Sequence, residues 1–407
     1  MGLGFSFPTE TVEEGRVSVV TPKMEAQIKG GRKYGPSRTP VFYNPVMELN
    51  RDLAVLALQA YQRMQGRKLL VCEPFTGCGI RGIRFAAEVE GIEKLTLGDI
   101  NPQAVELARF NIEHNGLTNC VFVVEKDANT LLGEHASPRK RFDFIDVDPF
   151  GSPAPYMDSA VRALRSRGLL ALTATDLAPL CGVHPRACIR KYGGKPLRTE
   201  YCHELAVRLL MGCLTMTAAR HGIGVEFPFS HSTDHYIRVY ARVQYGARQA
   251  DGSVQGMGYV LHCFTCLHRE TVKGSVPRLK WECPQCGSSL SGAGPLWLGK
   301  MFNHAFCVSM EKEVAGRSLK QERMILKLLA LIRGEAEGPA TYYVTDKICD
   351  QLGVPTPPLI TVLEELKKEG FQAVPTHFNR KGFKTDAPAR IIKEILSDGK
   401  YERRPLS

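Results

Sequence analysis

Glu73-Pro74-Phe75-Thr76-Gly77-Cys78-Gly79-Ile80-Arg81-Gly82 is the stretch on which the fold turns. An apolar run at 68–72 leads into it and helical spacing leads out. A glycine-rich turn between a strand and a helix lets backbone approach a ligand closely and aims helix-terminal N–H groups at it. Alone, the pattern is shared with dinucleotide sites. Working outward, strands are expected at 95–97, 120–124, 142–147 and 169–175, with helices at 101–115 and 156–166. Such alternation argues for a doubly wound α/β sheet with its ligands at the carboxyl ends of the strands. A helix is expected before it at 47–65 and a long one after it at 201–221. The runs 225–229 and 236–243 are joined too closely for a helix between them, so they should pair antiparallel. Residues 1–40, with Lys29, Arg32, Lys33 and Arg38, read as an irregular basic arm. Later helices are expected at 311–333 and 360–368, the latter running into a basic hairpin at 379–384, as a winged helix ends.

The strand ends carry the chemistry. Asp99 ends the second strand, where a carboxylate can accept both hydroxyls of a ribose. Asp127 follows the third, where it can accept from an adenine amino group beside the Ala128 N–H. The bland alternative for both acids is helix capping. The fourth strand ends Asp146-Val147-Asp148-Pro149-Phe150-Gly151. An isolated Asp-Pro is usually a turn. Here it speaks for methylation of an exocyclic amine, whose lone pair is delocalised into the base. Asp148 can accept one N–H and the Pro149 carbonyl the other, so the lone pair turns toward a sulfonium methyl. Phe150 can stack on the base. Most of the rate would come from positioning.

The 407 residues suggest two or three domains. Lys and Arg exceed Asp and Glu by 11 charges, which points to a polyanionic partner. No stretch is apolar enough to span a bilayer and the N-terminus lacks signal-peptide order, so a cytoplasmic protein is expected. Thirteen cysteines scattered through a large chain fit a reducing compartment. Four stand apart. Cys263 and Cys266, with Cys283 and Cys286, form two CxxC knuckles at the spacing of a structural zinc ribbon. His262 and His268 flank the first knuckle and read as solvated or stacked. From His184 to Arg198 the chain carries Arg186, Arg190, Lys191, Lys195 and Arg198 and no acid. This stretch reads as a loop after the fifth strand, suited to phosphate contact.

Asp148-Pro149-Phe150-Gly151, with Val41-Phe42-Tyr43-Asn44-Pro45, Asn50-Arg51-Asp52, Thr173-Ala174-Thr175-Asp176, Gly299-Lys300 and the late Gly382 to Pro388 segment, resembles the tRNA guanine-26 N2-dimethyltransferase family. The likeness runs over nearly the whole chain. It implies a class I (Rossmann-like) methyltransferase domain at 46–255, after the arm at 1–45. A zinc ribbon at 256–300 and an α+β tRNA-binding domain at 301–407 would follow. It implies S-adenosyl-L-methionine as cofactor and tRNA as partner. It also implies that Arg51 and Arg81 approach the cofactor with Gly77, Gly79, Asp99, Asp127 and Ala128, and that Phe42 faces Phe150 across the guanine. Without the resemblance, Arg51 reads as a helix-surface arginine and Phe42 as core. Some relatives also modify position 27, and no residue here is identified as excluding that. Rival readings are an adenine-N6 methyltransferase, which uses a similar loop, and a non-catalytic RNA-binding protein on the same scaffold. A cytosine-C5 enzyme would need a cysteine where Phe150 stands.

Overall fold

A computed structural model of the chain describes residues 5–23 and 39–397. Lys29, Arg32, Lys33 and Arg38 lie outside the described residues. The chain forms two compact units, one of Met1–Pro149, Pro155–Leu172 and Val308–Lys327, the other of Phe150–Ala154, Thr173–Cys307 and Leu328–Ser407.

The first unit opens with an antiparallel hairpin, β1 (Thr9–Glu14) and β2 (Val17–Pro22). The sequence reading has an irregular arm here. The hairpin's buried residues are Glu14 at the end of β1 and Val17, Val19, Val20, Thr21 and Pro22 in β2. Then come α1 (Glu48–Gln65), β3 (Leu69–Glu73), α2 (Ile80–Glu88), β4 (Ile92–Asp99), α3 (Pro102–His114), β5 (Val121–Glu125), α4 (Ala128–Glu134), β6 (Phe142–Val147), α5 (Met157–Ala163) and β7 (Leu164–Ala174). Five parallel strands order as β5-β4-β3-β6-β7. All six residues of β6 are buried, as expected of a parallel strand covered by helices on both faces. The chain winds outward from β3 in one direction and from β6 in the other. The crevice at the carboxyl ends of β3 and β6 is therefore the switch point where such sheets bind ligands. This is the class I methyltransferase arrangement expected from the sequence. β7 starts earlier than expected, because Leu164 pairs with Phe142 and the strand takes residues 164–166 from the helix.

The second unit carries α6 (Leu177–Leu180), α7 (Pro185–Tyr192), α8 (Cys202–Ala219), the antiparallel pair β8 (Ile223–Thr233) and β9 (Tyr236–Tyr245), and α9 (Ala247–Val254). α7 stands where a loop is expected. Its signals are Pro185 at the first turn and Gly193 in the left-handed conformation just past the end. The cysteine-rich segment is a three-stranded antiparallel sheet of β10 (Met257–His262), β11 (Arg269–Lys273) and β12 (Ser291–Trp297), with β10 central. The helix expected at 311–333 is two helices, α10 (His304–Lys312) and α11 (Glu322–Gly334), separated around Gly316 at φ +77°. The chain ends with β13 (Tyr343–Val344), α12 (Thr345–Leu352), α13 (Leu359–Lys368), β14 (Ala373–Pro375), β15 (Gly382–Thr385) and α14 (Ala389–Ser397). Its small sheet, order β13-β15-β14, and three helices enclose a core of Ile348, Val362, Leu366, Phe383 and Ile392. No described helix is long and apolar enough to cross a membrane.

Candidate active site and metal centre

Two sequence features at the ends of β3 and β6 meet in one place. Past β3, the backbone must turn sharply into α2. Gly77 at φ +53° and Gly79 at φ +87° supply the left-handed residues. A Cβ at Gly77 would come within 2.9 Å of the Phe42 carbonyl oxygen. The turn therefore packs against the Phe42 segment with no room for a side chain. Asp99, at the end of β4, accepts from the Gly77 N–H at 2.9 Å and from the Asn101 N–H at 2.9 Å. α3 is capped by Asn101, so Asp99 is not its cap. These two bonds fix the orientation of a half-buried carboxylate that has about four lone-pair positions. Asp127 does cap its helix, accepting from Thr130 N at 3.0 Å, with Ala128 opening α4. The capping reading thus holds for Asp127 and fails for Asp99.

Arg81 sits in a cage of acids. Its guanidinium donates to Asp148 Oδ2 and to Asn50 Oδ1 at 2.8 Å, and lies 3.7 Å from Asp146 Oδ2 and 3.6 Å from Glu73 Oε1. Asp146, which the sequence left without a role, is fully buried beside it. One cation thus faces three carboxyl groups. Burial, and after it the neighbouring Asp146 and Asp148, push the Glu73 carboxyl well up against the pull of Arg81. Asp148 retains 18% side-chain exposure, while its neighbours are closed off. Asp148 is thus held through Oδ2 by Arg81 while part of its side chain stays accessible.

The three consecutive side chains of Asn50-Arg51-Asp52 have separate buried partners. Asn50 bonds Arg81. Arg51 forks onto Glu14 with two contacts of 2.6 Å and also donates to the Asn44 carbonyl at 3.2 Å. Asp52 pairs with Arg84 at 2.7 Å, and Arg84 also binds Glu14 and Glu88. Arg51 is thus buried, which corrects its reading as a surface arginine. Its partner Glu14 belongs to the hairpin that the sequence reading missed. Phe42 is 37% exposed, so it is not core.

In the second unit, Phe150 is 67% exposed. The next residue is clamped: Gly151, at φ +78°, donates to Thr175 Oγ1 at 2.9 Å and accepts from Thr175 N at 2.9 Å. Thr175 is a functional candidate that sequence reasoning did not single out. Asp176 accepts from Lys191 Nζ at 2.8 Å and from the Tyr192 hydroxyl. Lys191 is therefore tied to an acid outside its own stretch, whereas Arg186 and Arg190 project from α7 into solvent.

The four ribbon cysteines converge. Their sulfurs lie within 4.8 Å of one another, with Cys263 to Cys286 and Cys266 to Cys283 both at 3.5 Å. The two knuckles repeat one pattern. Leu267 N donates to the Cys263 carbonyl and Gly287 N to the Cys283 carbonyl, each at 2.9 Å. Cys263 N donates to the His268 carbonyl and Cys283 N to the Ser288 carbonyl. The residue after each second cysteine is left-handed, Leu267 at φ +66° and Gly287 at φ +71°. Four soft donors at tetrahedral spacing can hold a zinc ion with no open position. His262 is buried edge-on against Tyr201 and Phe264, and His268 lies near Glu270, so neither joins the set.

A family model described as N2,N2-dimethylguanosine tRNA methyltransferase matches residues 15–397. A tRNA (guanine(26)-N(2))-dimethyltransferase of Methanobrevibacter smithii is 43% identical over 390 residues, 96% of this chain and 97% of the relative. A tRNA (guanine(26)-N(2)/guanine(27)-N(2))-dimethyltransferase of Aquifex aeolicus is 34% identical over 395 residues, 96% of each. Among solved structures, Trm1 from Pyrococcus horikoshii in complex with S-adenosyl-L-methionine superposes with a TM-score of 0.83 at 34% identity, over 95% of this chain and 99% of that one. With a match from the hairpin to the last helix, the chain belongs to the N2,N2-dimethylguanosine tRNA methyltransferase family.

Proposed function

We propose that the chain transfers methyl groups from S-adenosyl-L-methionine to the exocyclic N2 of guanine 26 in tRNA, ending at N2,N2-dimethylguanosine. The observation that carries this reading is the Asp148 carboxylate, held by Arg81 at the end of β6 beside the glycine turn after β3. The turn suits a nucleoside cofactor: Gly77 and Gly79 bring bare backbone to the crevice, and Asp99 presents an oriented carboxylate for ribose hydroxyls. Asp127 and the Ala128 N–H are assigned to the adenine, and Arg51 and Arg81 to the polar tail. Bound there, the cofactor supplies an electrophilic methyl on a sulfonium.

The protein's own work is on the amine. Asp148 and the Pro149 carbonyl each accept one N2 hydrogen, so the nitrogen lone pair is freed from the ring and held in line. Because Arg81 binds Asp148 through Oδ2, that carboxylate acts as an acceptor that orients the amine, and the proton leaves to it or to solvent as the N–C bond forms. After the first transfer one N–H remains, enough for the same site to orient a second. Orientation of this kind is the main source of rate when little covalent chemistry falls to the protein.

A guanine within tRNA must leave its stack to reach this crevice, at a cost of a few kcal/mol. Stacking on an aromatic ring returns about 1–3 kcal/mol per base. Phe42 and Phe150 each expose a ring for it. Arg186 and Arg190, with Lys191 beside Asp176, the arm at 1–45 and the domain at 301–407 are assigned to the phosphates of the tRNA body. The ribbon at 256–300 holds one structural zinc, and thirteen cysteines, none in a disulfide among the described residues, suit the cytoplasm.

The test is nucleoside mass spectrometry of tRNA incubated with protein and cofactor. N2,N2-dimethylguanosine should form with guanine at 26 and disappear when 26 is adenine. N6-methyladenosine, or no product, would contradict the reading. Transcripts with and without guanine at 27 show whether this chain shares the wider range of the Aquifex relative.

A further inference from the structure

Three metal-binding side chains outside the ribbon also converge. Cys181 follows α6, and Cys202 and His203 open α8. The two sulfurs and an imidazole nitrogen lie within 4.8 Å of one another, and all three residues are half-buried. The Nδ1 atom of His203 is fully buried and has no hydrogen-bond partner. A buried imidazole nitrogen without a partner is unfavourable, and that points to a ligand. The backbone holds the cluster in place from both sides. Cys181 N donates to the Leu177 carbonyl at 2.7 Å, and Cys202 N donates to the Thr199 carbonyl at 3.2 Å.

We propose that Cys181, Cys202 and His203 form a second, soft-cation site that binds a zinc-class ion. Two thiolates and a neutral imidazole are the donor set preferred by zinc over magnesium or calcium. Three protein ligands leave the fourth position to water, so this site binds more weakly than the ribbon and exchanges its ion more readily. Binding displaces the thiol protons, and no electron is transferred. The ion would join the start of α8 to the segment between β7 and α7. That segment carries Asp176, which already holds Lys191 and Tyr192 at the end of α7. The site would thus anchor the helix bearing Arg186 and Arg190. This last consequence rests on the proposed tRNA contact; the metal site itself does not.

The test is metal content of the full chain, purified with a non-coordinating reductant, then exposed to zinc alone and desalted. Two zinc ions per chain are expected for the unaltered protein and one for Cys202→Ala. Replacing a direct ligand should weaken the second ion at least as much as losing a supporting contact does, about 10–100-fold, so His203→Ala should show that shift in a zinc titration. One ion in the unaltered protein overturns the proposal. So does a titration unchanged by His203→Ala, or a Cys181–Cys202 disulfide found in the denatured, alkylated protein. Circular dichroism of each variant confirms that it is folded. The anchoring consequence predicts a several-fold higher KM for tRNA in Cys202→Ala with kcat kept. Loss of the ion with KM unchanged removes the anchoring and keeps the site.

Discussion

Each unit buries a cluster of charges, and the two are built differently. In the first, one guanidinium, Arg81, faces Glu73, Asp146 and Asp148. In the second, Glu204 lies between Arg208 at 2.8 Å and Lys384 at 3.0 Å, and Lys384 is 3.6 Å from Glu335, which also holds His377. Arg208 and Lys384 there meet Glu204 and Glu335, with His377 bonded to Glu335. Burial would raise the Glu204 carboxyl, but Lys384 and Arg208 draw it down to about 2. That network is buried, and it ties α8, the end of α11 and β15 together. The Arg81 cage has one cation to three acids, burial and the neighbouring acids push the Glu73 carboxyl up, and Asp148 stays partly exposed.

The comparison breaks most visibly if the two cations are removed. Arg81→Gln should lower kcat by about 10²–10³-fold, as loss of a preorganised polar contact at a reacting centre does. A loss below about threefold would reduce Arg81 to packing. Lys384→Met should act on the other side, costing up to about 3–5 kcal/mol in denaturant unfolding, because it removes the cation shared by two buried acids and leaves Glu204 to Arg208 and Glu335 to His377. In the folded fraction kcat should be retained. A small stability change would mean that the network is ornamental.

Acid sharpens the contrast. Glu204 has a folded pKa of about 2 against an ordinary 4.5. Its stabilisation is complete above 4.5 and is lost as pH falls from 4.5 toward 2. Glu335 is lowered too, despite its burial, by His377 and Lys384, and adds a loss of the same sign. Unfolding free energy should therefore fall on acidification through this window. In Lys384→Met the fall should start at higher pH, since the acids lose the cation that lowers them. An acid limb that does not move would contradict the network. The smallest effect is expected at the surface. Arg186→Ala with Arg190→Ala should raise KM for tRNA several-fold and flatten its salt dependence, since each lost phosphate contact lowers the slope by about 0.9 at most. Equal affinity and slope would place the tRNA elsewhere.

Periodicity and local motif made much of this legible in advance. The glycine turn, Asp99, the Asp148-Pro149 strand end and the paired knuckles all announce themselves within a few residues. What stayed hidden depends on distance along the chain. Glu14 meets Arg51 and Arg84 from a hairpin whose short strands read as an arm, and no spacing rule links them. Asn50-Arg51-Asp52 was recognisable as a family mark, yet its work of holding Arg81 and Arg84 appears only in three dimensions. Lys384 is similar: it sits in the late Gly382 to Pro388 segment and turns out to be buried between two acids. Lys191 looked free for phosphate because its acid, Asp176, lies outside the basic stretch. α7 was readable from Pro185 and Gly193, and the weight given to its charge obscured them.

In the proposed mechanism Asp148 serves the amine and not the cofactor. Asp148→Ala separates the two in one preparation, with cofactor binding followed by calorimetry and methyl transfer to guanine-26 tRNA followed in single turnover. The account predicts a cofactor Kd within about threefold of the unaltered protein and a transfer rate lower by about 10³-fold, the scale of losing an orienting contact at the reacting atom. Near-normal transfer, or a lost rate explained wholly by lost cofactor binding, would contradict it.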